Sequence, residues 1–460
     1  MKNKKEYKIK LEEYAEEAIR RCKLKKKPVV CRCGETPGGT KHIGNFNDNL
    51  RSYFVYLLVK RKGYPARHIQ TRDNLDPIRK LPAGFSDLKH NWVVTTKKLV
   101  KDYEKYTGKP LFNIPDVLGC CKNYSEHFRK IYEKECKKMG LTDTEYYSTY
   151  ELYKKGKFNK YLKKIFKKID IAREIDLNIE KTKPKDYVPV WAICEKCGKI
   201  TGRIKNIFLE EEKVEYVCTD RNLTASYTAK GCGHNGEVDW KNGNTKMDWE
   251  FEWPAQILMF ETTIEPFGKD HFNGSWPFSK QVISKVYEEE LPLVFYYEHF
   301  VTNKKKMATR HGNIISLTDL MNVLEIEAIR FIYTKRPEEQ RSLDFSKIIN
   351  FADEFDRAEK IYYEIKKIKT LKETYKIKKN YELAMFFKIK KKYTKRISYR
   401  TAISISKNVS SSKWKDELKK RGFGNNPENI ERIKLAKNWV EKYAKNIPKV
   451  GRIKRTMSSL

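Results

Sequence analysis

The sequence contains no apolar stretch of about 18 residues, the minimum for a membrane-spanning helix. Its first segment, Met1–Lys27, mixes lysine with glutamate and lacks the apolar core of a secretory signal peptide. The sequence therefore predicts neither a membrane protein nor a secreted one, and the expected location is the cytoplasm.

Acidic residues are scarce relative to basic ones, since 60 Asp and Glu stand against 97 Lys and Arg, giving a net charge of +37. Counterion release drives such chains onto polyanions, so nucleic acid is the first candidate partner and an anionic membrane surface the second. A genome-wide bias toward lysine would produce the same composition, so the charge alone does not identify RNA.

The 460 residues are 39% hydrophobic and 13% aromatic, which excludes a disordered chain. This length indicates about three domains. Ten cysteines in a chain without a signal peptide favour reduced thiols and metal sites over disulfides.

The pattern near the N-terminus predicts an α/β fold. Residues 28–33 predict a buried strand, residues 34–44 a glycine-rich turn and residues 47–60 a helix, which is how a nucleotide-binding unit begins. Further strands are predicted at residues 66–72 and 291–297. Residues 85–185 are predicted to be largely helical, residues 187–253 strand-rich, and everything from Ser316 onward helical.

The sharpest local motif is T-P-G-G-T-K-H-I-G-N, residues 36–45. Its glycines let the backbone approach a ligand, and the helix that follows offers free N–H groups to phosphate. His42, and with it Asn45, can donate to phosphate oxygens as negative charge shifts during group transfer. The sequence therefore predicts a phosphate-binding turn.

Two groups of residues have the chemistry of zinc ligands. One contains Cys194, Cys197 and Cys218, with either Cys232 or His234 as the fourth ligand. The other lies on one short segment, where spacing alone does not separate a zinc site from chance; its members are Asp116, Cys120, Cys121 and His127.

The turn at residues 36–45 resembles the H-I-G-H signature of class I aminoacyl-tRNA synthetases, here in the form H-I-G-N. Downstream, K-K-K-M-A-T-R-H-G-N at residues 304–313 is similar to the family's K-M-S-x-S-K-G-N loop, with His311 in place of its second lysine. The resemblance implies that His42, Asn45 and Lys306 are catalytic. It implies an ATP site formed by Thr36, Gly38, Gly39, His42, Gly44, Asn45, Lys306, Arg310 and His311.

Longer strings resemble the class I lysyl-tRNA synthetases. E-P-F-G-K-D-H at residues 265–271 matches their pattern without a change, and D-N-L-D-P-I-R-K at 73–80 and K-M-D-W-E-F-E-W-P-A at 246–255 are similar to theirs. The segment 114–128 resembles their zinc-binding segment, which implies a first zinc site at Asp116, Cys120, Cys121 and His127. These strings cover residues 30 to about 365 in order.

The resemblance also implies a lysine pocket lined by Gly39, Trp249, His271 and Tyr297. An ammonium substrate suits aromatic faces and a carboxylate. Either Asp73 or Asp270 supplies that carboxylate, and the sequence does not decide between them.

The implied protein is an α/β enzyme with a Rossmann-type parallel-sheet catalytic domain, inserted zinc-binding modules and an all-α C-terminal region. It would be a monomer that uses ATP, L-lysine and Mg²⁺, carries two structural Zn²⁺ ions and charges tRNA(Lys). The alternatives are a class I synthetase for glutamate and a catalytically weakened tRNA-binding paralogue. The predicted regions are a first catalytic half with an N-terminal helix (1–85), a basic, largely helical insertion (86–186), a small zinc module (187–247), a second catalytic half with the Lys306 loop (248–315), a helical connecting domain (316–370) and a helical anticodon-binding region (371–460).

Overall fold

The computed structural model describes residues 7–179, 184–302, 305–307, 314–424 and 426–443. The chain forms two compact units, Met1–Thr318 with Tyr333–Ser342 and Asp319–Ile332 with Leu343–Leu460. In the described ranges, no helix is long and apolar enough to cross a membrane.

The helices, in chain order, are α1 Lys10–Lys25, α2 Phe46–Arg61, α3 Lys97–Glu104, α4 Tyr124–Lys138, α5 Thr149–Lys154, α6 Asn159–Lys167, α7 Ile169–Ile179, α8 Trp249–Met259, α9 Lys269–Asn273, α10 Ser275–Gln281, α11 Leu317–Met321, α12 Ile326–Thr334, α13 Ile348–Tyr362, α14 Leu371–Ala384, α15 Tyr399–Asn408, α16 Trp414–Lys420 and α17 Pro427–Lys442. The strands are β1 Val29–Glu35, β2 Ala66–Arg72, β3 Gly84–Ser86, β4 Trp92–Val94, β5 Thr144–Ser148, β6 Val190–Ala192, β7 Gly202–Phe208, β8 Lys213–Cys218, β9 Arg221–Thr224, β10 Tyr227–Ala229, β11 Asn235–Asp239, β12 Thr245–Met247, β13 Ile264–Gly268, β14 Leu293–Tyr297, β15 Phe300–Thr302, β16 Lys305–Lys306 and β17 Arg341–Ser342.

The centre of the first unit is a five-stranded parallel sheet in the order β14-β13-β1-β2-β5. The first five residues of β1, Val29–Cys33, are all buried, as expected for a strand with helices on both faces. The strand order reverses between β1 and β13. In open parallel sheets ligands bind at such a reversal, outside the carboxyl ends of the strands. The predicted α/β fold with a Rossmann-type sheet is confirmed.

The helices beside β1 follow from their sequences. Helix α1 buries one face, made by Leu11, Ala15, Ala18 and Cys22, and Glu12 caps its start by accepting the N–H of Ile9 at 3.0 Å. Helix α2 is buried around most of its circumference, because it packs both against the sheet and against α1. It follows the predicted phosphate-binding turn, in the position that the sequence indicates.

The segment predicted to be a largely helical insertion differs from the prediction in one respect. It includes the hairpin strand β4 and, more importantly, β5, which extends the central sheet by pairing in parallel with β2. Five residues, T-E-Y-Y-S, are too few to show a period in the sequence, and tertiary pairing decides their conformation. The division of the chain into six regions stays a prediction.

Residues 187–247 fold into a five-stranded antiparallel sheet in the order β11-β8-β7-β6-β12 and a separate two-stranded hairpin, β9-β10. This agrees with the strand-rich composition of that segment. The described secondary structure of the second unit is helical, as predicted. Within the stretch from Ser316 onward that the sequence predicts to be helical, the first unit adds the two-residue strand β17, which forms only by parallel pairing with β15. The core of the second unit contains the fully buried Arg432, which pairs with Glu325 at 2.5 Å and Asp356 at 2.6 Å.

Candidate active site and metal centres

The turn that follows β1 holds His42 and Asn45 in a reciprocal contact. The backbone N–H of Asn45 donates to Nδ1 of His42 at 3.3 Å, and the Asn45 side-chain oxygen accepts the His42 N–H at 3.2 Å. Burial lowers the pKa of His42 to about 3, and the nearby Lys41 and Lys306 add to the effect. The ring is therefore neutral near pH 7, with its proton on Nε2, available to a ligand oxygen.

The position of the His42 ring leaves no space for a side chain at residue 44, so only glycine fits there. A Cβ at residue 44 would lie 2.8 Å from Cε1 and Nδ1 of His42, closer than real side chains approach. The absence of a side chain at Gly44 thus allows this orientation of the His42 ring. Gly44 itself does not line the cavity described next.

A cavity of about 770 Å³ opens at the point where the strand order reverses. Its lining includes eight of the predicted ATP and lysine residues, namely Thr36, Gly38, Gly39, His42, Asn45, Asp73, Trp249 and His271. It also includes residues that sequence reasoning did not select, among them Asp48, Asp76, Lys246, Trp253, Glu265 and Phe267.

A buried polar network lies behind two residues that line the cavity, Glu265 and Asp73. Arg32, fully buried on β1, donates to both oxygens of Glu265 at 2.7 and 2.6 Å, and also to Thr71 and Gln256. Because the Gln256 oxygen accepts from Arg32 and Thr71, its amide nitrogen faces Asp73 and donates at 2.9 Å. The orientation of the Asp73 carboxyl is therefore fixed by a chain of bonds that starts in the central strand.

The surroundings of Asp73 are acidic. Burial, with the neighbouring Asp76 and Glu252, raises the pKa of Asp73 well above its usual value. Burial alone would lower the pKa of Lys246, but ion pairs with Glu252 and with Asp76 (3.2 Å) raise it on balance. Three carboxyl groups thus lie around the Lys246 ammonium group, and Arg221, which also lines the cavity, adds a positive charge near Asp76.

Aromatic rings also line the cavity. Trp249 stacks on Trp253 with ring centroids 5.5 Å apart and an angle of 8°, and His271 lies 5.7 Å from Trp253. The buried Nε1 of Trp249 has no hydrogen-bond partner in the part of the chain that the structure describes. Such an N–H is a ready donor to a ligand.

Two predicted pocket residues lie beside the cavity and do not line it. Tyr297 donates to Asp48 at 2.7 Å, and burial raises the pKa of Asp48 to about 7. Asp270 forms ion pairs with Lys306 and His299, which lower its pKa against the effect of burial. The ion pair with Asp270 therefore holds Lys306 beside the cavity, although neither residue lines it. The predicted ATP residues Arg310 and His311 lie outside the described residues.

The second predicted metal cluster brings its four thiols together on the antiparallel sheet. Sγ distances are 3.7 Å for Cys194–Cys232 and 3.7 Å for Cys197–Cys218. Four thiolates around zinc, each about 2.3 Å from the ion, lie about 3.8 Å apart. His234 instead contacts Glu195 at 2.8 Å. The geometry fits a tetrahedral four-cysteine site and leaves His234 outside it.

The four residues of the first predicted metal cluster also come together, with all four ligand atoms within 4.8 Å of one another. Nε2 of His127 lies 2.9 Å from the carbonyl of Ser86, so it carries a proton and Nδ1 is left as the ligand atom. That Nδ1 is 3.2 Å from Oδ1 of Asp116, a buried oxygen that accepts no hydrogen bond among the described residues. Two electron-pair donors aimed at one point, with Cys120 and Cys121 beside them, fit a cation.

The model of the family described as tRNA synthetases class I (K) matches residues 11–386 of this sequence. The chain belongs to this family. The match covers the central sheet, both cysteine-containing clusters and the cavity.

Proteins named lysine–tRNA ligase are among the relatives of this family member. The one from Haloarcula marismortui is 35% identical over 337 residues, which are 73% of this chain and 61% of that protein. The one from Pyrococcus furiosus is 34% identical over 458 residues, covering 94% of this chain and 80% of that protein. The matched part is therefore about three fifths of the length of the haloarchaeal relative.

A solved methionyl-tRNA synthetase from Mycobacterium tuberculosis, in complex with methionyl-adenylate, aligns over 90% of this chain and 89% of its own. Its TM-score is 0.41 and its identity 10%, so this likeness supports no conclusion.

Proposed function

We propose that this protein is a lysine–tRNA ligase. The observation that carries the proposal is the cavity at the sheet reversal, which is lined both by the His42 turn and by the acidic groups around Asp73. Membership of the lysine-type family and relatives that are 31–35% identical support it.

In the first reaction a lysine carboxylate oxygen attacks the α-phosphorus of ATP. The bond to the β-phosphate breaks, giving lysyl-adenylate and pyrophosphate. His42 donates through Nε2 to a phosphate oxygen as charge develops there, Asn45 holds the ring and Lys306 approaches the phosphates. Positioning and charge stabilisation supply the catalysis, and no covalent enzyme intermediate is needed. Bound Mg²⁺ would neutralise the phosphate charge.

Asp73 is the proposed partner of the substrate ammonium. It lines the cavity, it is oriented by Gln256, and its acidic neighbours favour a cation. Asp270 is the weaker candidate, since Lys306 and His299 already pair with it. Trp249 and His271 form the apolar wall for the lysine side chain. A glutamate side chain would instead place a fourth carboxylate among Asp73, Asp76 and Glu252, which disfavours the glutamate alternative.

In the second reaction the terminal 2′-hydroxyl of tRNA attacks the lysyl carbonyl, AMP leaves, and the hydroxyl proton is released. The helices of residues 371–460 are proposed to read the anticodon region, where unstacked bases can be distinguished. Two Zn²⁺ ions are proposed as structural ions at the Asp116 and Cys194 clusters, since four protein ligands leave no open position.

The test is amino-acid-dependent exchange of pyrophosphate into ATP, measured with a panel of amino acids. We expect exchange with lysine alone. Exchange with glutamate and not lysine would identify the glutamate enzyme. Retained tRNA binding without exchange would identify the weakened paralogue, whose motivation is the altered loop at residues 308–311.

A further inference from the structure

The outer side of the phosphate-binding turn is tied to the helix that carries a metal ligand. The hydroxyl of Tyr124, the first residue of α4, donates to the carbonyl oxygen of Gly38 at 3.0 Å. Tyr124 is fully buried among Phe85, Leu111 and Phe128. The ligand His127 lies one helical turn further along α4. A side chain fixed in this way can hold the turn at a defined position.

A second chain of bonds joins the same metal cluster to the same turn. His127 donates through Nε2 to the Ser86 carbonyl at 2.9 Å, and the Ser86 N–H donates to the hydroxyl of Thr40 at 2.7 Å. All three residues are buried. The two connections reach the turn at Gly38 and at Thr40, on either side of Gly39, and all three of these residues line the cavity.

The Gly38 carbonyl and the Gly39 N–H belong to one planar trans peptide unit, so they point in opposite directions. Holding the carbonyl on Tyr124 therefore turns the Gly39 N–H away from Tyr124. Gly38 itself leaves room there, since a Cβ at this position would touch Leu111 and Thr36 only at 3.9 Å. The N–H of Gly39 thus points away from Tyr124, within a turn whose residues line the cavity.

The segment from Asp116 to α4 is closed by hydrogen bonds around the Asp116 carboxylate, in addition to the backbone bond from Tyr124 to Ile114. Oδ2 of Asp116 accepts the N–H groups of Cys120 and Cys121 at 2.7 and 2.9 Å, which closes the loop on itself. The four ligand atoms then converge on a single point. A cation at that point would lock the loop, and through it the start of α4.

We propose that Tyr124 is a positioning residue of the Gly38–Thr40 turn, and that the Asp116–His127 metal centre holds that turn through Tyr124 and through Ser86. The ion at this centre thereby acts on substrate binding although it contacts no substrate. The expected kinetic effect of this role rests on the proposed ligase function. The connection between the metal cluster and the turn does not.

The test uses Tyr124→Phe, which removes one hydroxyl and keeps the buried ring. The matched control is Tyr399→Phe, which likewise removes the hydroxyl of a fully buried tyrosine that donates to a backbone carbonyl, that of Val323 in the second unit. In lysine-dependent pyrophosphate exchange we expect kcat/KM to fall about five- to tenfold for Tyr124→Phe only. Metal content and thermal midpoint should match the control.

Hydrogen exchange by mass spectrometry supplies a readout that does not depend on activity. Peptides covering residues 36–45 should exchange faster in Tyr124→Phe, and faster in wild type after the metal is removed with a chelator, while the control resembles untreated wild type. Equal exchange and equal kinetics in both variants would overturn the proposal. If wild type shows no pyrophosphate exchange with any amino acid, the ligase function fails, and the hydrogen-exchange result still decides the connection.

Discussion

The orientation of the His42 ring depends on the absence of a side chain at Gly44. The ring occupies the space that a Cβ at residue 44 would need, at 2.8 Å. We therefore expect Gly44→Ala to displace His42 and to reduce adenylate formation about 100-fold, the usual effect of moving a catalytic group by about 1 Å. Pyrophosphate exchange with lysine measures it, with the thermal midpoint recorded to show that the fold is retained.

The cause of that loss can be isolated with a double variant. In a His42→Ala background the clash is gone, so adding Gly44→Ala should cost little more activity. If the two losses instead multiply, Gly44 acts on the ligand directly and not through His42.

The carboxyl of Asp73 should make lysine binding depend on pH. Its pKa is raised, and only the ionised form attracts an ammonium group, so the KM for lysine should rise as pH falls through that pKa. Asp73→Asn should raise the KM about 10- to 100-fold and remove this pH dependence. Steady-state exchange kinetics at several pH values measure both. A larger effect of Asp270→Asn would transfer the role to Asp270.

Sequence reasoning reached those site residues that belong to one short string or to a familiar chemical pattern. His42 and Asn45 stand three positions apart in a glycine-rich turn, and the structure brings both to the cavity. Arg32, Gln256 and Asp48 were not selected, because their roles depend on contacts between strands and helices far apart in the chain. The sequence signal for Arg32 is that it is the one charged residue in the predicted buried strand, residues 28–33.

At the scale of elements, the four cysteines of the antiparallel-sheet segment, residues 190–247, bring their Sγ atoms together. The structure separates the two candidates for the fourth ligand, since Cys232 lies 3.7 Å from Cys194 while His234 contacts Glu195. We expect Cys232→Ser to lose one zinc ion per chain and several degrees of thermal midpoint, and His234→Ala to retain both ions. Metal analysis of the purified proteins measures this, and zinc loss only in His234→Ala would reverse the assignment.

The elements themselves were predictable where their patterns are long. Strand β2 was predicted with its exact bounds, and α2 within one residue at each end. Strand β5 was not predicted, because five polar and aromatic residues carry no period, and only pairing with β2 makes them a strand. The order β14-β13-β1-β2-β5 likewise follows from contacts between distant segments and not from any local pattern.

At the scale of the whole molecule, the net charge of +37 is the property that no single site explains. The cavity wall is acidic around Asp73, so the excess positive charge serves neither the proposed lysine pocket nor the proposed metal centres. A basic surface on a protein with a proposed RNA substrate is expected to neutralise phosphates and release counterions.

Transfer RNA affinity should therefore fall steeply with salt. Between 50 and 200 mM KCl we expect the Kd for tRNA(Lys) to rise at least about tenfold, and a non-cognate tRNA to show a similar slope from a weaker starting affinity, since phosphate contacts carry no sequence information. Filter binding measures both. The KM for lysine, read from pyrophosphate exchange, is the internal control and should change far less, because its pocket is buried. A flat tRNA response would mean that the surplus of lysine reflects a composition bias and not an RNA-binding surface.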